Sequence, residues 1–330
     1  MRNEYGKMDK GRMILSRVRI LICICMAVSI VYIMKDSLKN SFKEESVSVN
    51  AEDSSISEAT FDETYYKEMM HRKEIVDNYL ETVKKSNYMM HALGGMDGDD
   101  TYINSLDAMK YHYKRGSRLF EVDINFTADN RLVLCHGWKK KDFKRHVGIE
   151  YYDEDSANED GEYILTRDEF LEKKIRGKYT TNTFEELVEF MDEHKDVYVM
   201  IDLAKKSYED TLEIYNKIVS IVGDDDILQR FIVGGQTKDM VKAVKESYDF
   251  SIYNVAYSKE EFDGVDEFIE YCEKKSITSF GIASNGDRSE LDELLEKTDM
   301  PSYVFTENDK DKADELLEKG VSVVGTDFLE

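Results

Sequence analysis

From residue 86 to residue 330, short β-branched runs alternate with amphipathic stretches, and no other feature limits the possible folds so sharply. Runs at 87–92, 119–125, 197–203, 231–234, 251–255, 279–282, 303–306 and 321–325 are rich in Val, Ile, Tyr and Phe and read as strands. Between them, 104–115, 183–194, 208–222, 238–247, 259–275, 289–297 and 310–318 repeat apolar residues at helical spacing. Eight strands alternating with seven helices over about 240 residues predict an α/β chain folded as a (β/α)8 TIM barrel. An open doubly wound sheet shares the alternation, but no Gly-rich phosphate turn follows any strand here. One segment breaks the rhythm. Residues 132–136 read as a hairpin arm behind the second strand, and 137–181 are charged and irregular, too long for an ordinary βα loop. Such a segment is expected to be either functional or unstructured. Its Arg145, His146, Tyr151 and Tyr152 are the side chains suited to close over a ligand.

The chain ahead of the barrel divides by composition. Residues 20–34 carry no charge, follow Arg17 and Arg19, and precede Lys35. With Val18 and snorkelling flanks, 18–35 is expected to be a transmembrane signal anchor. A cleaved signal peptide is the alternative, but no small-x-small site follows the run. The basic start places 1–17 as a cytoplasmic tail and the remainder outside, as a single-pass cell-membrane protein with an extracytoplasmic barrel. Residues 36–60 are Ser- and acid-rich and read as a flexible stalk, 61–85 as a capping helix, and 86–330 as the barrel. A formal net charge of −24 excludes a nucleic-acid partner, which requires a basic footprint. The four cysteines form no CxxC pair, so neither a disulfide framework nor a thiolate metal site is expected.

Catalytic side chains of such barrels stand at the carboxyl ends of the strands. His91 lies near the end of the first strand, and Asp202 near the end of the third. Glu121 and Asp123 are two apart on the second strand and so face the same side. His136 closes the apolar Leu132-Val133-Leu134-Cys135 run just before Gly137. Three convergent carboxylates select a hard divalent cation, Mg²⁺, Ca²⁺ or Mn²⁺. Each of these residues alone is an ordinary strand-end acid or a packed histidine; the order in which they occur together makes the site.

The stretches HALGG (91–95), NSLDAM (104–109) and RLFEVDINFTADNRLVLCHGW (118–138) resemble the glycerophosphodiester phosphodiesterase-like superfamily, whose barrel is shared with phosphatidylinositol-specific phospholipase C. The likeness continues through VYVMIDLAKK (197–206), VFTEND (304–309) and GTDFLE (325–330). It implies metal-dependent attack on a phosphodiester, with His91 and His136 exchanging protons and Glu121, Asp123 and Asp202 holding one divalent cation, Mg²⁺ or Ca²⁺. Its substrate would be a small phosphodiester or a lipid head group.

There are departures. The family's HRG reads His91-Ala92-Leu93, and its Pro-Glu-Asn-Thr reads Tyr102-Ile103-Asn104-Ser105, which removes a ligand. The remaining Glu, Asp, Asp set is similar to that of the sphingomyelinase D branch. The lysine two places after the last ligand is replaced by Ala204, leaving Lys205 or Lys206 to contact the substrate. Trp138, Tyr253 and Phe305 are the aromatic residues placed to wall a pocket. A barrel that has lost catalysis and serves as a surface binding module is the competing expectation.

Overall fold

The computed structural model describes residues 55–330 apart from 97, 99, 205 and 285–287; the side chains of 55–65 and 288 are also outside it. The expected anchor (18–35) and tail (1–17), and residues 36–54 of the expected stalk, therefore lie outside the described residues. No described helix is long and apolar enough to cross a membrane. One compact unit runs from Tyr66 to Glu330.

Eight parallel strands close into a barrel: β1 (Tyr88–Met90), β2 (Leu119–Phe126), β6 (Tyr198–Asp202), β7 (Phe231–Gly235), β8 (Ile252–Ala256), β9 (Ser279–Ala283), β10 (Ser302–Phe305) and β11 (Val323–Thr326). Neighbours follow chain order, and the seam is shut by Met90 pairing with Phe120. β3 (Leu132–Leu134) adds antiparallel to the end of β2. Both faces of each strand are buried, as parallel sheets require. Met89, Leu119, Tyr198, Met200, Ile232, Ile252 and Val323 fill the barrel, while their neighbours in sequence, such as Phe120, Val199 and Phe231, pack under the helices.

Five of the outer helices begin on a side-chain cap, whereas helix Val265–Lys274 starts at Gly264 without one. Ser105, Thr183, Ser207, Thr237 and Asp309 accept backbone N–H groups of the first turn, and Thr183 forms a reciprocal box with Glu186. Helix Tyr208–Val222 stops at Gly223, whose left-handed φ of 60° ends the α-ladder without steric cost.

Helix Ser55–Ser86 is longer than the expected 61–85 and begins within the last residues assigned to the stalk. Its Ile75, Tyr79 and Val83 are buried on the interior barrel residues, and the Tyr198 hydroxyl donates to the Ile75 carbonyl at 3.4 Å. Tyr79 and Tyr198 meet ring to ring at 5.5 Å. The helix thus plugs the barrel on the side away from the strands' carboxyl ends. Tyr79→Ala is expected to cost about 3–5 kcal/mol, because the emptied volume is enclosed on all sides; urea denaturation of the full chain would measure it.

The segment 137–181 is not irregular. Short helices Lys140–Arg145 and Arg167–Leu171 and a hairpin of β4 (Lys174–Ile175) with β5 (Tyr179–Thr180) enclose an apolar cluster of their own. Trp138, Phe143, Phe170 and Ile175 are buried there with Ile103 and Cys135. Asp100 ties the hairpin to the loop after β1 through Arg176 (3.1 Å), Lys178 (3.0 Å) and the Tyr179 hydroxyl (2.9 Å).

Candidate active site

The β2–β6 register pairs Asp123 with Asp202, and Glu121 lies one pleat below Asp123 on the same face. Glu121, Asp123 and Asp202 each offer a carboxylate oxygen within 4.8 Å of the others. Glu121 and Asp123 are buried and Asp202 is half-buried. Glu121 Oε2 accepts the Ala92 N–H at 2.6 Å, whereas its Oε1 is buried without a hydrogen-bond partner. Burial pushes the Glu121 carboxyl well above the usual range, and the charges of Asp123 and Asp202 push it further. Asp202 is raised to about 7, first by burial and then by Asp123. An unpartnered buried oxygen and like charges at this spacing fit a divalent cation, whose charge would cancel the repulsion.

Both histidines stand beside the acids. His91 sits in the turn after β1, where Ala92 and Leu93 adopt left-handed φ of 45° and 62°. Its Nδ1 is 3.2 Å from Asp327 Oδ1. Asp327 follows β11 and is buried; it also accepts from the Tyr102 N–H (3.0 Å) and from Asn308 Nδ2 (2.7 Å). Burial raises the Asp327 carboxyl, but these bonds outweigh it and hold the group below the ordinary carboxylate range. His136 follows β3, with Nδ1 2.9 Å from Asp142 Oδ1 on helix Lys140–Arg145. The bond to Asp142 raises the His136 imidazole's affinity for its proton. Each ring therefore has a carboxylate on Nδ1, which orients it and leaves Nε2 for chemistry.

Tyr102 joins the two halves. Its hydroxyl donates to Asp123, and its ring lies edge-on to His91 (5.0 Å between centroids) and to His136 (6.0 Å). Burial, then the Asp123 charge, keep the phenol protonated far above its normal range. Tyr102 and Asn104 have left-handed φ of 58° and 50°. Strain of this kind concentrates at functional sites. Asn104 accepts from the Asp123 N–H at 3.2 Å and donates to the Asp123 carbonyl at 3.0 Å. Ile103, at the position of the missing ligand, turns away into the 137–181 cluster and is fully buried.

The remaining assignments divide. Lys206 reaches the mouth, its Nζ 3.5 Å from Asn125 Oδ1, and Asn125 Nδ2 donates to the His136 carbonyl. Lys205 lies outside the described residues. Trp138 does not wall the pocket: Nε1 donates to the Phe126 carbonyl at 2.7 Å and the ring meets Phe170 edge-on, inside the cluster of 137–181. Nor does Tyr253. On β8 the pocket residue is its neighbour Asn254; one step along a strand reverses the face, so Tyr253 packs under the helices with the Lys245 ammonium 3.5 Å from its ring centre. The pocket extends from His91, Glu121 and Asp202 to Gln236, Asn254 and Phe305. Gly234 on its wall admits no Cβ, since the Asn254 carbonyl oxygen would lie 1.8 Å away. Of the loop residues, His146 is buried and bonded to the Ile103 carbonyl, with burial lowering its pKa to about 4, whereas Arg145 comes to the site. Asp142, Asp327 and Tyr102 carried no role in the sequence reading.

Solved structures of similar fold are glycerophosphodiester phosphodiesterases. One from Parabacteroides distasonis is 18% identical, covers 74% of this chain and 93% of its own, and has a TM-score of 0.56. One from Thermotoga maritima is also 18% identical, covers 73% and 94%, and has a TM-score of 0.53. A phosphodiesterase from Oleispira antarctica, in complex with the product sn-glycerol-3-phosphate, is 14% identical, covers 73% and 92%, and has a TM-score of 0.54. Among curated protein sequences none matches. The model of the glycerophosphoryl diester phosphodiesterase family matches residues 97–330, from the loop behind His91 to the end of the barrel. That span carries Glu121, Asp123, His136 and Asp202 on a barrel of the same architecture, and the chain belongs to this family of phosphoric diester hydrolases.

Proposed function

We propose that this chain is a membrane-anchored, extracytoplasmic, cation-dependent phosphodiesterase that cleaves a glycerophosphodiester or a phospholipid head-group diester. The observation that carries the reading is the three-carboxylate cluster with its orphaned Glu121 oxygen, flanked by two imidazoles that each have a carboxylate on Nδ1. The product named in the Oleispira neighbour's complex supports a small phosphodiester as substrate. The charge-free run at 20–34 supports the anchor.

Glu121, Asp123 and Asp202 would hold the cation. When bound, Mg²⁺ or Ca²⁺ neutralises non-bridging phosphoryl oxygens and stabilises charge in the transition state. His91 Nε2 takes the proton of the attacking water, whose oxygen bonds to phosphorus. Asp142 favours the charged form of His136, which makes it the ring suited to protonate the departing alkoxide as the P–O bond breaks. Where the substrate has a hydroxyl next to the phosphate, that hydroxyl replaces water and the product is a cyclic phosphate. Lys206 stands at the mouth, within reach of an anionic substrate.

The purified full-length chain, given glycerophosphocholine and Mg²⁺ or Ca²⁺, is expected to release choline and sn-glycerol 3-phosphate or its cyclic ester. Phosphorus NMR separates the two products. No turnover of glycerophosphocholine, a lysophospholipid or a phosphoinositide with either cation would return the chain to the binding-module reading.

A further inference from the structure

An anionic diester entering this site meets three carboxylates, and the family's lysine position is Ala204. Lys206 reaches the mouth through Asn125, and a second cation stands on the Tyr102 side of it. We propose that Arg145 is a substrate-binding residue of this site, gripping a non-bridging oxygen of the phosphodiester, with the Tyr102 ring as its seat. The proposal rests on the phosphodiesterase reading and adds to it a group contributed by the insertion 137–181.

One ring locates the whole assembly. The Arg145 guanidinium carbon lies 4.4 Å from the Tyr102 ring centre, on the face of the ring whose edges touch His91 and His136. Tyr102 is pinned at both ends, by its hydroxyl on Asp123 and its N–H on Asp327. A guanidinium stacked on an aromatic face keeps its N–H donors at its own rim, in the plane that matches phosphate oxygens. Arg145 is exposed and makes no ion pair with any described residue, so none of the described carboxylates has to be displaced before an anion binds. Its helix is fastened by buried Phe143, and Asp142 on the same helix holds His136. Residues three apart share a helix face, so Asp142 and Arg145 are presented together toward the barrel mouth. The insertion thus positions one imidazole and supplies one cation.

The test compares wild type with Arg145→Gln, Arg145→Lys and, as a control for charge, Lys144→Gln, one residue away and exposed. Two quantities are read on the cation-loaded full-length chain: KM for glycerophosphocholine, and the calorimetric Kd for sn-glycerol 3-phosphate. Arg145→Gln is expected to raise both by about 10- to 100-fold, the range of a charge-assisted hydrogen bond, with kcat changed less. Arg145→Lys should recover only part, since an ammonium keeps the charge but not the planar fork. Lys144→Gln should match wild type. Arg145→Gln with wild-type KM and Kd overturns the proposal, as does an equal effect of Lys144→Gln. A wild type that binds sn-glycerol 3-phosphate through Arg145 yet hydrolyses no diester supports the proposal and overturns only the phosphodiesterase reading.

Discussion

His136→Ala is expected to lower kcat by about 10²- to 10⁴-fold, the usual loss when a positioned general acid is removed, and His91→Ala to do the same for the base. The leaving group decides the size of the first effect. A choline or glycerol alkoxide departs poorly without a proton, whereas nitrophenolate departs readily. Replacing the natural diester by bis-nitrophenyl phosphate should therefore rescue His136→Ala but not His91→Ala. Asp142→Asn provides the finer reading. The Asp142 bond raises the His136 pKa, so the imidazolium persists to higher pH in the wild type. Without that carboxylate the basic limb of the kcat–pH profile should move down while the pH-independent plateau changes little. Equal loss of both histidine variants on the activated ester would refute the division of roles.

The architecture was open to reading because two periods never mix in this chain. Each of the eight barrel strands falls on a predicted β-branched run, and the ends shift by a residue or two in either direction: Tyr88–Met90 stops short within 87–92, whereas Phe231–Gly235 runs one residue past 231–234. The insertion resisted for the opposite reason. Its apolar residues, Trp138, Phe143, Leu165, Phe170 and Ile175, follow no period and meet only after tertiary folding, so the charged residues between them dominate the pattern.

The same physics divides the site. Glu121, Asp123 and Asp202 were legible because a two-residue pleat and a strand end each have a geometric meaning in sequence. Asp327 was not, as it reaches His91 across 236 positions and only closure of the barrel brings them together. Asp142 follows three lysines, a context that describes a solvated turn as well as a helix carrying a catalytic partner. Tyr102 is not legible from the motif, which marks the next position: Ile103 lacks the ligand oxygen, yet the left-handed turn at Tyr102 sends a hydroxyl to Asp123 instead. For Trp138 and Tyr253, aromatic character suggested a pocket wall, but which face of a strand or loop a ring takes is decided by register.

Removing the cation should expose how much these acids cost the fold. Burial and mutual repulsion hold the Glu121 and Asp202 carboxyls above their ordinary, unfolded values, Asp202 at about 7 against an ordinary 3.8. Between those two values the folded state binds the extra proton, so the stabilising contribution is complete at low pH and is lost as pH rises through about 7. Metal-free protein is therefore expected to melt at a higher temperature at pH 5 than at pH 7.5, by on the order of 2 kcal/mol of stability or more. Saturating Mg²⁺ or Ca²⁺ acts in the reverse sense, because the cation binds the deprotonated carboxylates and competes with protons. At a hundredfold excess over Kd it should add about 2.7 kcal/mol at pH 7.5, roughly 5–10 °C in Tm for a barrel of this size, and much less at pH 5. Chelation should also lower turnover by about 10³-fold, the loss of several kcal/mol of transition-state stabilisation. Asp202→Asn separates the two effects, since it removes one repelling charge and one ligand together: metal-free Tm at pH 7.5 should rise while most of the cation-induced increase disappears. If calorimetry instead finds the metal-free chain equally stable at both pH values and indifferent to either cation, the three carboxylates are not a metal site and the mechanism loses its electrophile.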